Sequence, residues 1–462
     1  MKFIDRKKEL EFLNEEYNSP CSSLVIIYGR RRVGKTALIC EFIKGKDSLY
    51  FLATTEGESA NIREFKTLVA EFTGSQLLKE VQTDNWEPLF REITTKNTES
   101  KTVIVIDEFQ YLGKSNPAFP SVMQKIWDTL LQHENIMLIL CGSLITMMKE
   151  QTLEYSSPLY GRRTGQLKLR QIPFRHYYEF YPDLSPSELV EYYSVTGGIP
   201  KYIELFRPQK DIYLAIEKNI ISKSAFFYEE PDFLFNSEVT ETGTYMSIVK
   251  AIAMGKCRLS QIASYVEIKQ TSLSKYLKTL IDMDIIERIV PVTENNPEKS
   301  KKGIYSIKDN FLSLWFKFIY PFRSYIESGN EAIVDKKIRE SLISHHTAFI
   351  YEDICREKIW DLNADGRWDF IFEKVGKWWN KTEEIDIVAL DSTTNSILFG
   401  ECKYRKEKTG ANVLKELERR AALVDWKSEN RNCFYIIFSI SGFTDELIET
   451  AKVRNDLQLF TI

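Results

Sequence analysis

The first third of the chain alternates short, nearly continuous apolar runs with helical stretches. The runs are Leu24-Val25-Ile26-Ile27-Tyr28, Leu49-Tyr50-Phe51-Leu52, Thr102-Val103-Ile104-Val105-Ile106 and Ile136-Met137-Leu138-Ile139-Leu140. An unbroken apolar run predicts a strand covered on both faces, and strands separated by helices predict a parallel sheet. Residues 174–235 change to helical, aromatic-rich spacing, interrupted at Gly197-Gly198-Ile199-Pro200. The tyrosines and phenylalanines there read as core. From Tyr245 onward three short helical patterns, 246–253, 259–264 and 271–281, lead into two strands at 285–290 and 303–307, with Gln270-Thr271-Ser272 expected to cap the third helix. Residues 311–322 are the most hydrophobic stretch, yet too short for a bilayer and interrupted by Lys317, which predicts a buried helix. The last third reads as two adjacent strands, 384–390 and 397–404, then an amphipathic helix at 412–426 and a strand at 433–438.

The chemistry begins where the first strand ends. Gly29-Arg30-Arg31-Arg32-Val33-Gly34-Lys35-Thr36 fits G-x-x-x-x-G-K-[ST] and opens a helix at Ala37. Strand, glycine turn and helix N-terminus aim backbone N–H groups at one point, where phosphates bind. Lys35 is placed to reach the β- and γ-phosphates and Thr36 to ligate Mg²⁺. The third strand ends in Asp107-Glu108, giving a second metal contact and a base to orient and deprotonate the attacking water. ATP and Mg²⁺ are the expected cofactors.

Composition narrows the partners. With 462 residues there is room for several cores, and 43% hydrophobic with 28% charged residues is ordinary for a globular protein. A net charge of −4 gives no whole-molecule attraction to nucleic acid, so any such binding falls to local basic faces. Seven scattered cysteines and four histidines argue against zinc and disulfides. Reduced thiols and an N-terminus that is charged from Lys2 onward imply a cytoplasmic protein with no membrane partner.

Two further regions carry candidate chemistry. The helices and strands of 241–325 follow a winged helix-turn-helix pattern, with Lys269, Lys275, Lys278, Lys299, Lys301 and Lys302 available to DNA phosphates. In the last third, Glu401 and Lys403 are two apart on one strand and share a face that Asp386 can reach from its neighbour. This is the D…E-x-K arrangement of restriction-endonuclease-like folds. Asp386 and Glu401 would bind Mg²⁺, Lys403 would polarise a water, and Glu352 on a preceding helix would add a carboxylate.

Phe3-x-Asp5-Arg6-x-x-Glu9-Leu10 and Ile106-Asp107-Glu108-Phe109-Gln110-Tyr111-Leu112 resemble the prokaryotic, archaeal-type AAA+-like ATPases. The resemblance implies a polar γ-phosphate sensor at Ser143 and an arginine finger at Arg162 or Arg163, in cis or in trans. It further implies a helical lid and a nuclease-like last domain. The expectation is an α/β chain: a P-loop ATPase core at 1–173, a lid at 174–240, a winged helix with connecting helix at 241–325, and an α/β nuclease-like domain at 326–462. DNA is the expected macromolecular partner, with a homo-oligomer left open. Two rivals stand beside this reading: a nucleotide-gated switch or scaffold that grips without cutting, and a regulator acting through the winged helix alone.

Overall fold

The computed structural model describes residues 3–96, 100–206 and 208–462. Met1 and Lys2, at the head of the charged N-terminal run, lie outside them. The described residues fall into two compact units. The first takes the chain to His176, with Gly198–Leu205 and Asn236–Thr240; the second takes Tyr177–Gly197, Phe206–Phe235 and Glu241–Ile462. The 174–240 stretch is thus divided between them.

The first unit is built on five parallel strands, β1 (Ser23–Tyr28), β2 (Ser48–Leu52), β3 (Thr102–Asp107), β4 (Ile136–Gly142) and β5 (Gly165–Lys168), in the order β2-β3-β4-β1-β5. The continuous apolar runs are explained by cover on both faces. Leu24, Ile26 and Tyr28 face a core with Phe65, Trp86, Phe90 and Phe119, whereas Val25 and Ile27 face Leu38, Ile39 and Phe42. Placing β4 between β1 and β3 brings the ends of three strands together at one edge, where a parallel sheet binds its ligand.

In the second unit, helices Thr242–Ala253, Leu259–Val266 and Gln270–Asp282 precede an antiparallel pair, β6 (Ile286–Ile289) and β7 (Ile304–Ile307). The third helix begins at Gln270, one residue earlier than expected. Lys269 occupies the N-cap position without a side-chain cap bond, and Thr271 and Ser272 lie inside the first turn. Lys269, Lys275, Lys278, Lys299 and Lys301 are exposed, while Lys302 is paired with Glu294 at 2.6 Å. Asn310–Leu314 and Trp315–Ile319 are buried helical turns, and no helix among the described residues is long and apolar enough to cross a membrane. Of the aromatic residues ahead of them, Tyr177, Tyr192, Tyr193, Phe206 and Phe227 are core, with Tyr177 packed edge-on to Tyr193 at 5.2 Å, whereas Tyr178, Phe226 and Phe233 are exposed.

The chain ends in a second sheet, β8 (Lys374–Trp379), β9 (Glu384–Asp391), β10 (Ser396–Lys403), β11 (Asn432–Ser439) and β12 (Leu457–Phe460), in the order β12-β11-β10-β9-β8. Strands β8 to β10 are antiparallel, and β10 to β12 parallel. Val413, Leu414 and Leu417 of helix Ala411–Ala421 pack on it beside Leu447 of helix Asp445–Val453.

Candidate functional site

Two glycines shape the loop after β1. A Cβ on Gly29 would lie 2.4 Å from the Leu169 carbonyl oxygen, and Gly34 takes a left-handed φ of 95° to start helix Lys35–Phe42. Arg6 braces this loop from the N-terminal motif, donating to the Val33 and Arg170 carbonyls at 3.2 and 2.6 Å. Val33, Arg30 and Lys35 are buried, while Thr36 and Ala37 are exposed at the helix start. The Lys35 ammonium is folded onto its own loop, donating to the Gly29 and Arg30 carbonyls at 2.8 and 2.9 Å, and burial lowers its pKa. A phosphate would draw it outward.

The acidic pair meets this loop across β4. Thr36 Oγ1 donates to Asp107 Oδ2 at 2.9 Å, and Tyr50, from β2, donates to the same oxygen at 2.6 Å. Glu108 adopts a left-handed φ of 55°, costly for a residue with a Cβ. That turn presents its carboxylate to Ser143 Oγ at 2.7 Å and to the Gln110 amide. Contacts thus link Thr36, Asp107, Glu108 and Ser143. Arg162 and Arg163 do not join them. Arg162 makes a two-pronged bond to Asp128, closest approach 3.0 Å, and Arg163 lies over the Tyr160 ring at 5.3 Å. Thr164 N–H bonds the Leu24 carbonyl at 2.8 Å, which pins this segment at the start of β1. Gly29 leaves the other end, on the order of 15 Å away at the rise of a strand, and both arginines are held by these local contacts.

The second cluster draws on five elements. Asp386 on β9 accepts from the Cys402 backbone N–H at 2.9 Å; Glu401 on β10 is bonded by Lys403 at 2.6 Å and by Arg420 at 3.2 Å. Glu352, on helix Ala348–Ala364, is paired with Lys377 of β8. Burial, then the nearby Glu352 charge, pushes Asp386 up to about 6; burial and Asp386 raise Glu401. Among the described residues no three His, Cys, Asp or Glu side chains converge as a metal cage.

Residues 3–206 match a family described as an ATPase domain predominantly from Archaea. An uncharacterized protein of Methanocaldococcus jannaschii is 38% identical over 424 residues, covering 91% of this chain and 92% of its own length. The chain belongs to the archaeal ATPase family. An uncharacterized ATP-binding protein of the same organism is 23% identical over 361 residues, 68% of this chain and 94% of that protein. A Walker-type ATPase of Pyrococcus abyssi shares the fold at a TM-score of 0.51 and 21% identity, covering 68% of this chain and 96% of that one. Within this archaeal ATPase, residues 245–288 match the bacterial regulatory arsR family and residues 315–418 match archaeal and bacterial proteins of unknown function. The second match spans Glu352, Asp386 and Glu401.

The nucleotide site of this ATPase fits a magnesium ion: the Thr36 hydroxyl and Asp107 carboxylate are hard oxygen donors, already in contact and beside the exposed helix start. The second cluster also offers hard oxygens, on adjacent strands and with raised pKa values, but its cations Lys377, Lys403 and Arg420 now hold two of its three carboxylates. Four contributors escaped sequence reasoning: Tyr50, Gln110, Lys377 and the Arg420 contact. Only Gln110 left a local signal, two residues after Glu108 in the quoted motif. The others arrive through strand order and helix packing.

Proposed function

We propose that the chain is an ATP hydrolase whose turnover is completed by a second copy. In this reading, Lys35 and the loop N–H groups bind the β- and γ-phosphates. Glu108, aimed by Ser143 and Gln110, accepts the proton of the attacking water. Thr36 and Asp107 would hold magnesium, which neutralises phosphate charge when bound. Arg162 or Arg163 of a neighbouring copy would stabilise the charge of the transition state. The observation carrying this is the convergence of Thr36, Asp107, Glu108 and Ser143 at one sheet edge while the arginines stand at the other. Mixing Lys35→Ala with Arg162→Ala/Arg163→Ala tests it. Each is expected to be inactive alone, and the mixture to recover part of the ATPase rate; a mixture as dead as its components sinks the trans arrangement.

We further assign 1–173 to the ATPase core, 174–240 to a lid, 241–325 to a DNA-binding winged helix and 326–462 to a nuclease-like domain. The exposed lysines of the third helix and wing support DNA as partner. Asp386, Glu401, Lys403 and Glu352 would form a Mg²⁺-dependent cleavage site, tested by plasmid and single-strand cleavage with Asp386→Ala and Lys403→Ala. A second reading, a nucleotide-gated binding module without cleavage, draws on one observation: Glu401 is already neutralised by both Lys403 and Arg420. Absence of cleavage by the wild type under every nucleotide condition would select it.

A further inference from the structure

One buried acid beside the phosphate loop has no part in the hydrolytic scheme. Glu238 is the last residue of helix Glu230–Glu238, some 200 residues beyond the loop in sequence (238 against 34). Its carboxylate accepts a bond from the Ile145 backbone N–H and faces three cations of the loop, Arg31, Arg30 and Lys35. Ile145 stands two residues after Ser143, which itself contacts Glu108. One Glu238 oxygen, Oε2, is buried with no hydrogen-bond partner. The acid is therefore held chiefly by the charge of the loop, with its own hydrogen bonding incomplete. Burial pushes this carboxyl up to about 7, against the opposing pull of Arg31 and Arg30.

One of the cations that face Glu238, Lys35, is the one assigned above to the terminal phosphates. Lys35 is meanwhile folded onto the loop carbonyls. We propose that Glu238 discriminates triphosphate from diphosphate: its carboxylate shares the loop cations until a third phosphate adds negative charge beside it and expels it. A diphosphate brings less charge and leaves the acid in place. Displacement would move the end of a helix whose chain leads, through Thr240, directly into the winged helix. This inference rests on the assignment of the loop as the nucleotide site.

The test uses the full chain, magnesium, ADP and a non-hydrolysable ATP analogue, with affinities measured by calorimetry. Glu238→Gln removes the charge at constant shape. It is expected to tighten the triphosphate analogue roughly tenfold, the order of a like-charge contact partly screened by solvent, and ADP by less than threefold. Equal tightening of both ligands, or weakening of both, overturns the proposal. Hydrogen exchange of wild-type residues 230–240 provides a reading that needs no variant. Exchange should be faster with the triphosphate analogue than with ADP, and equal rates count against displacement. Lys35→Ala separates the two layers: if it still binds both nucleotides as wild type does, the site assignment has failed and not Glu238's role.

Discussion

The phosphate loop and the acidic cluster of the last sheet are both proposed as sites for a cation and a phosphate, yet they are made in opposite ways. The first is a piece of backbone: eight consecutive residues, two of them glycines, wedged against the Leu169 carbonyl, with side chains added from neighbouring strands. The second has no loop of its own. It is a meeting of side chains from β8, β9, β10 and two helices, with carboxylates already paired to lysine and arginine. The first stands open at Thr36 and Ala37; in the second, Glu352 and Glu401 are already held in ion pairs. Backbone sites are specified locally and recognise a shape, whereas side-chain sites are specified by tertiary packing and can be gated by charge.

The largest test of that contrast concerns chemistry. Glu108→Gln should lower kcat for ATP hydrolysis by about 10²–10⁴ while ATP affinity stays within about threefold of wild type, a pattern read from steady-state rates beside calorimetry. A parallel loss of affinity would recast Glu108 as part of the loop's architecture. The next contrast is steric. Gly29→Ala drives a Cβ into a fixed carbonyl and is expected to cost about 2–4 kcal/mol in thermal melts. Gly400→Ala meets only the Ile387 and Ile436 side chains, at 2.9 and 3.0 Å, and should cost about half as much. Equal costs would erase the distinction between a backbone-built and a side-chain-built site.

Smaller effects sharpen it. Tyr50→Phe removes one donor from Asp107 and should weaken magnesium-dependent ATP binding by about 3–10-fold, the scale of one hydrogen bond to a charged group; an unchanged affinity would show that Thr36 and the Glu108 N–H suffice to orient Asp107. The smallest is a pH effect. Burial pushes the Glu238 carboxyl up to about 7, above its ordinary value of 4.5. The folded state then binds more protons between those values, so stability falls as pH rises from about 4.5 to about 7 and levels off above. The difference between wild type and Glu238→Gln in melting temperature should carry that slope. A pH-independent difference would place the carboxylate in water.

The same contrast explains what could be read in advance. The loop, Asp107 and Glu108 were legible because a contiguous motif follows strands whose apolar runs have no alternation. Asp386, Glu401 and Lys403 were legible as a spacing on two strands. Their partners were not, because Lys377 and the reach of Arg420 depend on which strand lies beside which and on where a helix lands. Tyr50 and Glu238 were hidden for the same reason: neither is near the loop in sequence. The third helix of the winged motif began one residue early because Thr271 and Ser272, good caps in isolation, sit inside its first turn once the helix packs through Leu273, Leu277 and Leu280.

Arg162 is tied to Asp128, two residues before Thr164 bonds the start of β1, and the phosphate loop leaves the other end of that strand. If, as proposed, the arginine comes from a neighbour, turnover would belong to a population, and the rate per molecule would rise with local crowding. A dilute copy would keep its nucleotide and wait. Copies gathered along one stretch of DNA would discharge it, so that nucleotide lifetime reports how many of them have assembled.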